Sequence, residues 1–192
     1  MKKTLILSLA LAGLTSAGLA TTAFADPPQP KIVVLDRAAI MQFSKAGQDI
    51  AKQMQAYSAQ AKADLQGQGR ALEVEERSLQ QQVAILAPDV KAKKIAAFQA
   101  KQQGLQGQVA KKDEQMRYAF AQARAQMEAK LGPILQGLVK ARGANMVLDK
   151  QAVVFATQGG FDITGEAINQ LNQQLPSLKV NFNVTPPPAP KK

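Results

Sequence analysis

The sequence contains few of the side chains that catalyse reactions or bind metals. It has neither histidine nor cysteine, which removes the usual general base at neutral pH, the commonest metal ligand and the best thiol nucleophile. Glu73, Glu75 and Glu76 lie close together, but in a polar helical sequence such a cluster is typical of a solvated face. We therefore expect neither an enzyme nor a bound cofactor or metal.

One segment has the glycine spacing of a phosphate-binding loop. Its two glycines are Gly132 and Gly137, and in the true motif a lysine follows the second glycine. Here Leu138 occupies the lysine position, and Pro133 lies within a sequence predicted to be helical. We expect no nucleotide to bind, so the protein must act without ATP.

The side chains that could bind a partner are basic and lie mostly in one part of the chain. Residues 90–142 carry eleven basic and three acidic side chains, whereas residues 44–88 carry five of each. Charge of one sign attracts acidic partners, and salt weakens the attraction. The alternative is a helix face that is charged only to remain solvated. Nine basic residues are the candidate contacts: Lys91, Lys93, Lys94, Lys101, Lys111, Lys112, Arg117, Arg124 and Lys130.

The first 25 residues have the pattern of a secretory signal peptide. Two lysines precede an apolar stretch from Leu5 to Leu19, and small residues, Ala23 and Ala25, stand where signal peptidase requires them. The alternative is a membrane anchor, but the apolar stretch is shorter than the roughly 20 residues that span a bilayer. We predict cleavage between Ala25 and Asp26 and export of the remaining chain.

Two long helices are predicted in the middle of the chain. Residues 48–86 are rich in strong helix formers, and leucines recur every seven residues from Leu65 to Leu86. Residues 87–89 interrupt this helix because Pro88 cannot continue it. A second helix follows to about Leu131, with a kink expected at Gly132 and Pro133 and an end at residues 142–145.

These two helices should fold back on each other. Their apolar stripes can meet only if the chain reverses at the break, and each helix would then extend roughly 60 Å at 1.5 Å per residue. We predict that residues 44–142 form a long, projecting antiparallel α-helical hairpin with its tip near residues 87–89. Four apolar residues are interpreted as packing between the helices rather than as a surface for partners: Phe98, Met116, Phe120 and Met127.

Four glycines lie at similar distances from the predicted tip. Gly67 and Gly69 precede Pro88, and Gly104 and Gly107 follow it, so an antiparallel hairpin would bring them to nearly the same height. Each glycine costs a helix about 1 kcal/mol relative to alanine. Two explanations are open: a flexible hinge in the arm, or small residues that let the helices approach closely.

Short strands are predicted from both ends of the chain. Residues 31–36 form a continuous apolar run, and residues 146–149 and 152–155 read as two strands about a Lys150-Gln151 turn. A short helix over residues 37–43 and a turn over residues 44–47 follow the first strand. A terminal helix opens at residues 162–164, and residues 178–184 alternate with period two as a candidate edge strand.

The predicted fold class is α+β, with a small β-rich base from which the hairpin projects. Residues 26–43 and 143–185 form this base, and residues 186–192 a disordered Pro-rich tail. A few short strands bury too little apolar area to hold a long lever, so we expect the base to bind copies of itself. The candidate oligomer contacts are Ile32, Val34, Val147, Val153 and Phe155.

Three base segments resemble the Skp (OmpH) family of periplasmic chaperones: residues 31–36, residues 145–155 and residues 161–164 with the helix that follows. The resemblance covers nearly the whole exported chain, but the arms match only in length, composition and basic bias. It implies a periplasmic homotrimer whose arms enclose a cavity and hold unfolded outer-membrane β-barrel proteins. The glutamine-rich arms and the Pro-rich tail depart from the family pattern.

Other partners are compatible with a basic exported protein. An envelope spacer that binds lipopolysaccharide or peptidoglycan is the alternative function, and lipopolysaccharide or an acidic membrane surface is a further candidate partner of the chaperone. A nucleic-acid-binding protein is not expected, because the chain carries an export signal and lacks an aromatic or helix-turn-helix readout motif.

Overall fold

The computed structural model describes residues 29–155 and 160–184. The predicted signal peptide, its cleavage site at Ala25 and Asp26, and the Pro-rich tail lie outside these residues. None of the helices described is long and apolar enough to cross a membrane. The elements are β1 (Ile32–Leu35), α1 (Arg37–Phe43), α2 (Lys45–Gln82), α3 (Pro88–Ala141), β2 (Met146–Asp149), a 3-10 turn (Lys150–Ala152) and α4 (Thr164–Gln174).

A single buried residue separates the first two helices. Ser44 ends α1, where its N–H donates to the Ile40 carbonyl, and begins α2, where its Oγ accepts from the Gly47 N–H at 3.1 Å. The prediction for α1 is confirmed, but the turn predicted over residues 44–47 is wrong. Gly47 is already helical. The position requires glycine because a Cβ there would collide with the Met41 carbonyl oxygen. Glycine lets α1 and α2 cross at close range.

The end of α3 agrees with the prediction, whereas the end of α2 and the start of α3 differ from it. α2 stops at Gln82, four residues before the predicted end, and α3 begins with Pro88, whose missing N–H costs nothing in a first helical turn. α3 continues through Pro133 to Ala141. It ends where Gly143 adopts φ +59°, a left-handed conformation that glycine tolerates.

Side-chain contacts join α2 to α3 over most of the length of α2. The contacting positions fall along α3 as they rise from Ser44, which directly precedes α2, to Gln82 at its end. The contacts are Ser44 Oγ to Met127 Sδ at 3.9 Å, Tyr57 Oη to Gln115 Oε1 at 3.2 Å, Glu75 Oε1 to Lys101 Nζ at 2.7 Å, and Gln82 Oε1 to Lys94 Nζ at 2.6 Å.

The sheet is smaller than predicted. β1 and β2 pair in parallel, with Ile32 opposite Met146 and Leu35 opposite Asp149. Val34 also exchanges backbone hydrogen bonds with Phe161 and Ile163 on its other side. The strand predicted over residues 152–155 is wrong, because the Asp149 carboxylate accepts from the Gln151 N–H at 3.0 Å and turns the chain directly after β2. The described chain is therefore mostly helical, with two strands.

The candidate edge strand at residues 178–184 is not a strand either. Residues 176–184, which we call the C-terminal strap, run extended but pair with no other strand. Leu178 and Val180 are buried, and the backbone of the strap bonds to side chains of α2. The alternation of apolar residues thus reflects a segment with one face against a helix.

The hydrophobic core lies where α1, α4, the start of α2 and the end of α3 meet β1. Its fully buried members include Ile40, Ile50, Ile163 and Leu171, and Met127 and Leu138 extend it along α3. Between residues 51 and 118, by contrast, Phe98 is the only buried residue. Most of the length of α2 and α3 is therefore exposed, and the buried core lies at the start of α2 and the end of α3.

Candidate functional site

Four of the nine candidate basic residues are held by neighbouring side chains. Lys101 forms an ion pair with Glu75 and Arg124 one with Glu128, at 2.7 Å and 2.8 Å. Lys94 donates to the Gln82 amide oxygen. Lys112 lies 3.5 Å from the Tyr57 hydroxyl and 5.3 Å from the centre of its ring. These four charges help to hold α3 in place and are less available to a partner.

The other five point into solvent. Lys91, Lys93, Lys111, Arg117 and Lys130 are exposed, and none forms an ion pair within residues 29–155 and 160–184. They follow α3 from its first turn almost to the base. At 3.6 residues per turn they lie on different sides of α3. Unneutralised charges of one sign distributed along a helix attract a long acidic or polar chain through many weak contacts.

Glu128 forms ion pairs with the candidate residue Arg124 and with Arg37, and it was not selected from the sequence. Its Oε1 accepts from Arg124 at 2.8 Å and from Arg37 at 2.9 Å, so it ties α1 to α3. The Arg124 hydrogen bond, followed by that of Arg37, holds the pKa of Glu128 below its usual range, although partial burial opposes the shift. The spacing of four between Arg124 and Glu128 was the available signal, but Arg37 is distant in sequence.

The four arm glycines are not required for close helix packing. A Cβ placed on Gly67, Gly69, Gly104 or Gly107 would meet no heavy atom within 4 Å. A groove of ≈ 320 Å³, lined by Gly69, Leu72, Phe98 and Leu105 among others, lies at the same level. The explanation by close approach is therefore wrong, and the hinge remains a prediction.

The apolar residues of α3 divide into two groups. Phe98 and Met127 are buried and Met116 is half-buried, in agreement with packing between the helices. Phe120 is 38% exposed, so that part of the interpretation is wrong for this residue.

The candidate oligomer contacts are unequally exposed. Phe155 is 82% exposed, and Ile32 and Val147 are each 38% exposed. Val153 is half-buried. Val34 was expected to face another copy, but it is 5% exposed because the residues on both sides of β1 cover it. Met146 and Val154, which the sequence reasoning did not select, add exposed apolar surface beside this group.

Comparisons with known proteins agree with this architecture. Residues 31–171 match the family described as outer membrane protein (OmpH-like). A crystal structure of a candidate outer membrane chaperone (OmpH-like) from Caulobacter crescentus CB15 has a TM-score of 0.73 and 21% sequence identity, over 81% of this chain and 91% of that one. A search of curated proteins found no match. The family resemblance is confirmed, and the chain belongs to the OmpH-like family.

Proposed function

We propose that this chain is an ATP-independent periplasmic chaperone that holds unfolded outer-membrane β-barrel proteins and prevents their aggregation. Family membership supports the proposal, as does a fold similar to that of the Caulobacter protein, which is described as a candidate chaperone. The observation that carries it is that five of the nine candidate basic side chains on α3 are exposed and form no ion pair within residues 29–155 and 160–184. The proposed activity consists of binding alone and requires no catalytic side chain.

In this proposal α2 and α3 form a projecting antiparallel hairpin, and three copies of the chain unite through their bases. Exposed apolar residues of the two strands, together with Phe155 beyond them, are the proposed contacts between copies: Ile32, Met146, Val147 and Phe155. Three arms would then enclose a cavity whose potential is set by α3. An unfolded client bound by many weak contacts would be held tightly as a whole while its segments remain mobile.

The glycines of the arm support a hinge in this cavity. Each of the four glycines destabilises its helix by about 1 kcal/mol relative to alanine. No packing contact within the single chain requires glycine at these positions. Flexible helical segments partway along the arm would let the cavity widen for larger clients.

A second candidate function is an envelope spacer that binds lipopolysaccharide or peptidoglycan. The observation that favours it is the tip of the paired helices, where Ile85 is 85% exposed and Val90 43% exposed. The exposed Lys91, Lys93 and Lys94 follow within two turns. An apolar tip with flanking cations suits an anionic amphiphile such as lipopolysaccharide.

A charge-neutralisation experiment tests the chaperone proposal. One variant replaces four unpaired residues, Lys91, Lys93, Lys111 and Arg117, with glutamine; the matched control replaces the four paired ones, Lys94, Lys101, Lys112 and Arg124. Both lose the same net charge. The first variant should bind a urea-unfolded barrel protein more weakly and with a smaller salt dependence than the control.

Three outcomes are distinguishable. Equal weakening of both variants would mean that net charge, and not the unpaired side chains in particular, attracts the client. Unchanged affinity in both would place client binding on another surface. Loss of lipopolysaccharide binding with unchanged client binding would favour the spacer function for α3.

A further inference from the structure

The C-terminal strap lies on one face of α2 in a regular register. The Leu178 N–H donates to the Asp49 carboxylate at 3.1 Å, one turn of α2 before Gln53. Further along, the Phe182 ring stacks on the Tyr57 ring with centroids 4.0 Å apart and planes at 2°. Four residues of helix rise about 6.0 Å and two residues of extended chain about 6.6 Å, so each alternate strap residue meets the next turn of α2.

The Gln53 side chain forms hydrogen bonds with the backbone of the strap, so these bonds do not depend on the side chains of the strap. Its side-chain nitrogen donates to the Leu178 carbonyl at 2.7 Å, and its side-chain oxygen accepts from the Val180 N–H at 2.9 Å. One amide group thus satisfies a donor and an acceptor of an extended chain, as a neighbouring strand would. Any extended segment with apolar residues at alternate positions can make the same bonds.

The strap itself has the pattern of a membrane β-barrel strand. Leu178, Val180, Phe182 and Val184 alternate with the polar residues Lys179, Asn181 and Asn183. Strands of outer-membrane barrels alternate in the same way, and they carry aromatic residues near the membrane interfaces. The class of client proposed above therefore has the same recognition pattern as the segment already bound to α2.

The groove continues beyond the strap. Past the Tyr57 and Phe182 stack, a groove of ≈ 350 Å³ lies between α2 and α3, lined by Tyr57, Ala61, Leu65 and Met116 together with Lys112. Ala61 and Leu65 follow Tyr57 at intervals of four, on the same face of α2 as Gln53. Among residues 29–155 and 160–184, the strap thus fills this face near the start of α2 and no residue fills it from Ala61 to Leu65.

We propose that the face of α2 from Asp49 to Leu65 is a binding groove for extended segments with alternating apolar side chains, and that the strap is an internal competitor occupying its basal half. The inference rests on the proposed chaperone function and identifies how a client is recognised. A barrel strand enters the open half at Leu65 and displaces the strap from its Phe182 end. The Gln53 amide then bonds to the client backbone, and the strap returns when the client leaves.

The competition is tested by loosening the strap. Phe182→Ala removes the stack on Tyr57 without altering the groove, and Asn183→Ala, at an exposed neighbouring position, is its matched control. The probe is a labelled peptide with the sequence of residues 178–184, measured by fluorescence anisotropy on the full chain. Phe182→Ala should bind the peptide and a urea-unfolded barrel protein about tenfold more tightly than Asn183→Ala, because a larger fraction of grooves is vacant. Adding Gln53→Leu should abolish the gain.

A second variant leaves the strap in place. Leu65→Glu puts a carboxylate into the open half of the groove, and Gln68→Glu places the same charge on an exposed position of α2 that lines no groove described here. Client affinity should fall in the first and not in the second. If Phe182→Ala binds no better than Asn183→Ala and Leu65→Glu binds as well as Gln68→Glu, the groove is not a client site and the strap is only a brace. The proposed function would survive that result if the native chain still suppressed client aggregation.

Discussion

Replacing the four arm glycines with alanine should stiffen the middle of the arm. Gly67, Gly69, Gly104 and Gly107 are helical and have open space where a Cβ would be, so no steric cost opposes the gain. Each substitution favours the helix by about 1 kcal/mol. A local opening that unwinds all four positions would therefore become less favourable by about 4 kcal/mol, which corresponds to roughly a thousandfold lower population.

Hydrogen exchange measures this opening directly. Amides near residues 64–72 and 101–110 should exchange more slowly in the quadruple variant, by up to about three orders of magnitude if exchange requires the common opening. Gly137→Ala is the matched control, because Gly137 lies near the C-terminal end of α3 and also has open space where a Cβ would be. It should leave exchange at the middle of the arm unchanged.

The range of client sizes that the quadruple variant binds distinguishes a functional hinge from helices that are only less stable. If three arms enclose the proposed cavity, a stiffened arm should hold small barrel clients as before and lose affinity for large ones, because that cavity could no longer widen. If amides at the middle of the arm exchange as fast in the quadruple variant as in the wild type, the glycines do not weaken the helices as argued. Slower exchange with an unchanged range of client sizes would refute the hinge while leaving the stability argument intact.

Three further substitutions test the packing of α1 against α2 and α3. Gly47→Ala should destabilise the chain by about 2 kcal/mol or more, seen as a lower melting temperature, because its Cβ would collide with the Met41 carbonyl. Met127→Ala, at a 2% exposed core position, should cost about 2–5 kcal/mol in urea denaturation. Glu128→Gln should cost at most about 1 kcal/mol at neutral pH, because its ion pairs are partly exposed. The folded-state pKa of Glu128 is lowered, so its contribution is present above the unfolded value of about 4.3 and is lost as pH falls through the folded value. Stability measured between pH 3 and 6 should therefore fall less steeply in the variant, and an identical slope would contradict the assignment.

Local chemistry made several elements predictable. The predicted short helix at Arg37–Phe43 was correct because an aspartate, Asp36, stands where it can cap the first turn, and its carboxylate accepts from the Ala39 N–H at 2.8 Å. Pro88 marked the break between the long helices because proline fits a first turn and not an interior one. In both cases residues adjacent in sequence decide the structure.

The errors arose where distant residues decide. Gly47 was read as part of a turn, but it is glycine because α1 passes within contact distance. The alternation in residues 178–184 was read as a strand, although a helix can bury one face of an extended chain equally well. The paired and unpaired lysines of α3 could not be separated either, because a pair such as Lys101 with Glu75 depends on the register between two helices.

Dilution of a urea-unfolded outer-membrane barrel protein into buffer tests the central claim most directly. Three purified chains should be present for each client molecule, without ATP, and light scattering should be followed over time. The account predicts that scattering stays at the baseline and that the client remains bound in a soluble complex. Scattering that rises as fast and as far as in the absence of the chain would contradict it.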